Sequence, residues 1–495
     1  MAALYPSLRR AVRALPPPIR PLVSRFSTNK GSDLGGKFQE GGEEQREKID
    51  FQDGAQAYKD ISTAALMRAL GVFSVCGLQI VVRNSHRILQ TALKLFGPTV
   101  VQVIMRRTLF AHFCGGEDLE SIRPTIARLR ESNIGGILDF AAEADIEGEG
   151  EGVTLHHVTG EVSKPIEEIS QGEVVPQPTT VQGNALARQY SYHTERQCDA
   201  NKKIFETAIR AVHGVSPGGF AAIKVTALGN PLLLERWSTA LREIHRLFDI
   251  MDVDSDEGVH FEEFMSSWKK LFVPLEESEV RKIFSDFDKN NTGKIDPVEW
   301  MSTLDPPKMR QLASSCLEKG PFATAVLDDE EEKLLLAMQT RLKSLVKLAD
   351  DLDVRLMVDA EHTYLQPAID NLVLGVQRRY NRRIDRVYGT IQCYLKDAQY
   401  RNRIMMQTAE QEGWVYAVKL VRGAYMHQEK ERAMKLNYPD PIHNSLQDTH
   451  ECYHSVMSDV VARESVKNGS QKANLVVASH NQRSVEHAID LIHRA

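Results

Sequence analysis

The sequence predicts an α/β fold: a parallel sheet with helices outside it, led in by N-terminal helices and interrupted by a helical insertion. Three observations predict it. Short, continuously apolar runs alternate with stretches of helical pattern and length. Each run closes on polar or charged residues. Two Asp-rich loops of calcium-binding spacing stand in tandem between the second and third runs.

The runs are "GGILDF" (135–140), "GGFAAIKVTAL" (218–228), "VRLMVDAE" (354–361), "VYGTIQCYL" (387–395), "VYAVKLVRGAY" (415–425) and "ANLVVASHN" (473–481). Helical stretches such as "TYLQPAIDNLVLGVQRRYNRR" and "AQYRNRIMMQTAEQEG" separate the later ones. Their polar ends are Lys224, Asp359 with Glu361, Gln392, Lys419 with Arg422, and Ser479-His480-Asn481. A (β/α)8 TIM-like barrel gathers its active site at that edge, and an open doubly wound sheet uses the same edge. No Gly-rich dinucleotide fingerprint is found, since "GVSPGGF" has the wrong spacing and precedes a strand. The runs amount to six strands of the eight that close such a barrel. Either two strands escape the reading or the chain is incomplete at its C-terminus.

Composition sets the outer bounds. The chain has 495 residues, 42% hydrophobic and 26% charged, with net charge −6, which is ordinary for a globular protein and favours no nucleic-acid partner. Six scattered cysteines without a CxxC pair argue against a disulfide framework or zinc site and suit a reducing compartment. Residues 1–28 carry five arginines and no acid, the pattern of a mitochondrial transit peptide. A polar, Gly-rich linker (29–55) and a helical region (56–134) follow. Within that region "ALGVFSVCGLQIVV" (69–82) is too short to span a bilayer, so it reads as a buried helix, with a membrane-surface role as the alternative. The first strands occupy 135–229, broken by an acidic, aperiodic insertion at about 143–185, and the remaining strands and helices fill 306–495.

Between them, at 230–305, lies the loop pair. "DKNNTGKIDPVE" (288–299) puts Asp288, Asn290, Thr292, the backbone of Lys294, Asp296 and Glu299 at the ligand positions of an EF-hand, with Gly293 at its sharp turn. "DVDSDEGVHFEE" (252–263) offers Asp252, Asp254, Asp256 and Glu263, but Glu257 stands where glycine belongs, so its turn is strained or displaced. Ca2+ is therefore expected in the second loop before the first. An Asp-rich loop by itself is more often a solvated turn; two in tandem with apolar entering helices are not.

The strand ends suit an anionic, planar or phosphorylated ligand: Lys224, Lys419 and Arg422 bring charge, Gly423 and Ala424 allow close approach, and Tyr425 offers a flat wall. Asp359 among these cations should stay ionised. Taken one at a time, such residues are as often ion pairs or caps; the same habit on five strands favours a site.

At "AAIKVTAL", "RLMVDAE", "IQCYLKDA", "KLVRGAY" and "VVASHN" the sequence resembles the proline dehydrogenases, in their animal mitochondrial branch, from residue 56 to 495. The resemblance implies a distorted (β/α)8 barrel holding FAD noncovalently, oxidation of L-proline to Δ1-pyrroline-5-carboxylate, and electrons passed to quinone at the matrix side of the inner mitochondrial membrane. It further implies Lys224 on the substrate carboxylate, Asp359 and Lys419 in catalysis and Tyr425 against the substrate ring. Ala360, Gln392, Val421, Arg422, Gly423, Ala424, Ser479, His480 and Asn481 would line the cofactor. Two departures stand out. Lys419 replaces a family arginine, keeping charge but losing the planar fork. The family's substrate-clamping Arg-Arg pair and last two strands have no counterpart here, so this polypeptide is expected to be inactive or poorly folded by itself. Hydroxyproline oxidation, and a non-catalytic calcium-binding protein on a barrel scaffold, are the competing readings.

Overall fold

The computed structural model of the chain describes residues 50–116, 119–139, 195–216, 218–464 and 473–494. The expected transit peptide, residues 29–49 of the linker and the acidic insertion lie outside the described residues.

All six expected runs form strands of one parallel sheet. In chain order they are β1 (Ile137–Leu138), β2 (Phe220–Ile223), β5 (Arg355–Val358), β6 (Val387–Gln392), β7 (Tyr416–Val421) and β8 (Ala473–Val477), and they lie side by side in that order. Between β2 and β5 the chain makes a separate antiparallel pair, β3 (Val259–His260) and β4 (Lys294–Ile295). β2 still pairs directly with β5, Ile223 opposite Val358. A long insertion is compatible with that pairing because loop-closure entropy grows only slowly with length.

The sheet is curled. Phe220, Met357, Tyr388 and Ala417, one each from β2, β5, β6 and β7, pack as one inner cluster, with Val476 of β8 against it. The Phe220 and Tyr388 rings meet edge-on at 5.3 Å although β5 lies between their strands. Strands two apart in a flat sheet stand nearly 10 Å from each other, so only curvature brings these rings together. Beneath this layer Asp385 ties three strands: it accepts from Arg355 Nε (3.0 Å), Asn474 Nδ2 (2.7 Å) and the Tyr388 hydroxyl. The helices Glu195–Val215, Asp329–Asp351, Gln366–Tyr380 and Ala398–Glu412 cover the outer face in alternation with the strands, and the described strands form a six-stranded half-barrel.

The insertion is two helix–loop–helix units, Pro231–Met251 with Phe261–Leu271 and Glu277–Phe287 with Pro297–Thr303, joined by the β3–β4 pair. Phe248, Phe264, Trp268, Phe284, Phe287 and Trp300 fill its centre. Phe287 stacks on Trp300 at 4.6 Å, and Trp300 Nε1 donates to the Ile244 carbonyl at 2.9 Å. Its first helix also serves the sheet: Ser238 Oγ accepts from the Ala368 N–H (3.0 Å), and one continuous apolar core runs through both parts.

One expectation is overturned. The apolar stretch 69–82 is not a buried helix. The helix Thr63–Cys76 ends at Gly77, a short helix Gln79–Arg83 follows, and only Val72 among their residues is buried. Ile80 is 72% exposed and Leu78 53%. The stretch is apolar and helical, but among the described residues little covers it beyond His112 and Phe113 against Phe73. Cys76 and Cys114 are likewise exposed, whereas Cys198, Cys393 and Cys452 are buried.

Tyr388 joins the inner layer to the Asp385 tie, so Tyr388→Ala is expected to lower stability by about 3–5 kcal/mol, measured by urea denaturation. A loss under about 1 kcal/mol would mean that the layer does not hold the curl.

Candidate functional site

The polar strand ends meet at one edge of the curled sheet. Lys224, just past β2, donates from Nζ to Asp359 Oδ2 at 2.9 Å. Lys419, inside β7, donates to Asp359 Oδ1 at 2.6 Å. All three side chains are 15–17% exposed. Asp359 follows β5, and β6 separates that strand from β7, so the same curvature that joins Phe220 to Tyr388 lets Lys419 reach the carboxylate. Burial raises the Asp359 pKa, but the charges of Lys419 and Lys224 outweigh it and hold the carboxyl below its ordinary value. Burial likewise lowers the Lys224 pKa, and Asp359 more than reverses it. The triad thus carries one net positive charge at neutral pH.

A second carboxylate stands behind the first. Glu361 is fully buried and accepts from the Thr226 hydroxyl (2.7 Å) and the Thr226 N–H (3.3 Å). Its own N–H donates to Gln366 Oε1 (2.8 Å), and its carbonyl accepts from Gln392 Nε2 (2.8 Å). Gln392, itself buried, therefore braces the β5 end from β6. Burial pushes the Glu361 carboxyl from 4.5 up to about 7, only partly offset by the Thr226 hydrogen bonds.

Tyr425 is buried beside the β7 end, its ring 4.1 Å from that of His362. Glu429, fully buried on the helix Met426–Leu436, accepts from His362 Nδ1 (3.1 Å), the Thr363 N–H (2.8 Å) and the Thr363 hydroxyl. Gly423 has φ +137, and a Cβ there would lie 2.5 Å from the Tyr394 ring, so glycine is required at this close approach. Gly423 and Ala424 are exposed, while Ala360 and Val421 are half-buried at neighbouring strand ends.

The β8 end is organised differently. Arg422 donates to His450 Nδ1 (3.0 Å), Ser479 Oγ (2.8 Å) and Ser484 Oγ (2.8 Å), and stacks over Tyr453. Asn481 Oδ1 accepts from the Ser484 N–H (3.1 Å) at the start of the helix Gln482–Arg494. These side chains lock β7 to β8; His480 beside them is exposed. The structure therefore brings Lys224, Asp359, Lys419 and Gln392 into one network, and holds Arg422, Ser479 and Asn481 in a second. Thr226, His362, Glu429 and Tyr394 escaped the sequence reading. His362 had a signal, lying in the polar run after Glu361; Glu429, on a helix face 67 residues away, had none.

The donor set fits a flavin dinucleotide. A net-positive triad, small exposed residues on β7 and a glycine that no Cβ can replace suit an anionic, planar group. The acidic loops differ in their fit to calcium. In the second, Gly293 takes φ +82 with open space around it, Asp288 accepts from the Thr292 and Gly293 N–H groups (both 2.9 Å), and Glu299 reaches back to the Asn290 N–H (3.0 Å). In the first, Asp252, Asp254 and Asp256 converge within 4.8 Å, but Glu257 is held at φ +66 and the Lys294 ammonium sits 2.8 Å from Asp256 Oδ2. A resident cation already competes there.

The family profile described as "Proline dehydrogenase" matches residues 122–495. The chain belongs to the proline dehydrogenase family. It is 33% identical to "Proline dehydrogenase 1, mitochondrial" of Caenorhabditis elegans, over 90% of this chain and 76% of that protein. It is 32% identical to the Homo sapiens protein of the same name, over 89% and 76%. "Hydroxyproline dehydrogenase" of Xenopus laevis is 23% identical over 89% of this chain and 72% of its own length. A crystal structure of proline utilization A (PutA) from Bdellovibrio bacteriovorus aligns with a TM-score of 0.44 and 12% identity, over 77% of this chain and 26% of that one.

Glu361 makes stability depend on pH. Its folded-state value lies above its unfolded value, so its contribution is fully present below 4.5 and is lost as pH rises through about 7. Between pH 5 and 8 this removes at most roughly 3 kcal/mol. Glu361→Gln is expected to flatten that part of the curve in urea midpoints; identical slopes in both proteins would refute the assignment.

Proposed function

We propose that this chain is a mitochondrial proline dehydrogenase, an oxidoreductase that converts L-proline to Δ1-pyrroline-5-carboxylate with FAD and delivers electrons to quinone. Family membership supports the reaction, and the names of the relatives support the mitochondrion. The higher identity to the proline relatives favours proline over hydroxyproline. The observation that carries the reading is the Lys224–Asp359–Lys419 triad at the strand ends.

Bound FAD would supply the two-electron acceptor. The residues do the rest. Lys224 offers its ammonium to the substrate carboxylate in a site of net positive charge. Tyr425, braced by His362 and Glu429, presents a buried ring edge to the pyrrolidine. Lys419 would hold a cation beside the bound cofactor, and Asp359 fixes its ammonium in place. Ala360, Gln392, Val421, Arg422, Gly423 and Ala424, with Ser479, His480 and Asn481, form the cofactor-lining set, Arg422 acting through Ser479 to hold β8 in register.

We further read the inserted helix–loop–helix units as an EF-hand pair. The second loop takes Ca2+ through Asp288, Asn290, Thr292, the Lys294 carbonyl, Asp296 and Glu299; the first, through Asp252, Asp254, Asp256 and Glu263, binds more weakly because Lys294 must leave Asp256. The pair also touches the catalytic unit. Glu257 pairs with Arg403 (2.5 Å), and Asp296 accepts from Gln411 (3.0 Å), both on the helix Ala398–Glu412 that links β6 to β7. Calcium binding thereby reaches the element positioning Lys419 and tunes turnover.

Two experiments test these readings. Purified protein supplied with FAD tests both this reading and the expectation that the chain is inactive by itself: flavin absorption that proline bleaches supports the first against the second, with Asp359→Asn slowing bleaching roughly 100-fold. Failure to bind flavin would end the enzymatic reading. Calorimetry should find one tighter and one weaker calcium site, with Glu299→Gln removing the tighter; an unchanged isotherm would show that the loop is not a metal site.

A further inference from the structure

The N-terminal helices expose an apolar face that the catalytic reading leaves unused. From Ser85 to Phe113 runs a 29-residue helical stretch, long and apolar enough to cross a membrane, of whose most apolar part only 6% is buried. It folds back on the helix Thr63–Cys76: the Phe73 ring meets those of His112 (4.7 Å) and Phe113 (6.1 Å). The outside of this hairpin shows Ile80 and Leu95, each 72% exposed, Phe96 (62%) and Leu78 (53%). Scattered exposed apolar residues are normal, but large ones crowded into one exposed segment mark an interaction surface.

Charge identifies the occupant. From Ile61 to Phe113 there is no Asp or Glu, while six Lys and Arg are present, in a chain whose net charge is −6. A face that is both apolar and purely cationic matches an anionic lipid surface, where each Lys or Arg near the headgroups adds attraction. A surface for a second copy of this acidic chain would gain from mixed charge. The backbone decides how the segment lies. Gly97 takes φ +76 before Pro98, breaking the helix at mid-length, and Lys94 stands next to the break. A charge and a kink at the centre suit two half-helices lying in the interface, not one crossing the hydrocarbon core.

We propose that the hairpin 61–113 is a monotopic docking element that seats the enzyme on an anionic bilayer. The inference deepens the quinone reading, since a lipid-soluble acceptor is reached from a bilayer surface, but it stands on its own observations.

Vesicle flotation of the full chain tests it, using phosphatidylcholine vesicles with and without about one-fifth phosphatidylglycerol. Partition onto the anionic vesicles is expected to be at least about tenfold stronger. The triple variant Leu78→Glu, Leu95→Glu, Phe96→Glu should lose binding to both, with its thermal midpoint and flavin absorption unchanged. Arg106→Glu with Arg107→Glu should erase only the preference for anionic lipid. Equal recovery with and without vesicles overturns the proposal. So does a concentration-dependent dimer, seen by sedimentation, that the triple variant abolishes while vesicle binding persists. Flavin absorption is read on the same samples, so loss of the catalytic reading is seen separately from loss of docking.

Discussion

One carboxylate organises the polar edge of the sheet. Asp359 holds two ammonium groups carried by β-strands on either side of it, one adjacent and one beyond β6. Removing Asp359 from such a mostly buried arrangement would leave two ammonium groups uncompensated, at a cost of about 3–5 kcal/mol. The arrangement therefore constrains the whole scaffold. Lys419 reaches Asp359 only if the sheet curls, and the sheet curls because Phe220, Met357, Tyr388 and Ala417 fill its inner face. The apolar layer and the charged edge thus depend on the same curvature.

The surroundings of the triad show a division of labour. Glu361, Gln392 and Thr226 hold the β5 end from behind, away from the solvent-facing side. His362 and Glu429 do the same for Tyr425. Arg422, Ser479 and Ser484 clamp β7 to β8. In each case a buried polar group is satisfied by hydrogen bonds, which keeps the interior from penalising its burial. Residues that sequence reading places around a cofactor, Gln392 and Arg422 among them, also carry structural bonds, so their two roles are coupled.

The inserted pair is joined to the enzyme by packing and by polar contact. The helix Pro231–Met251 lies in the one apolar core that the insertion shares with the sheet, so the loops are not a free appendage. Lys294, a backbone ligand position in one loop, sits over Gly258 of the other and pairs with Asp256. Occupancy of the two loops is therefore linked through a side chain as well as through the β3–β4 pair. The N-terminal hairpin is the opposite case, an element with little packing behind it and a uniform charge.

Much of this was legible in the residues. Strand identity, the strand-end set and both acidic loops follow from local patterns, because apolar runs, turn glycines and ligand spacings act over a few residues. The strain at Glu257 was readable for the same reason, being a backbone demand at one position. The tertiary structure decided what depends on long-range packing: that Asp359 lies between two lysines and not one, that Glu429 comes to His362 from a helix 67 residues away, and that the apolar stretch 69–82 faces outward. Hydrophobicity states only that a surface avoids water; which surface covers it is set by elements distant in the chain. The sequence by itself determined which groups are available at each strand end, and the curl of the sheet determined which of them meet.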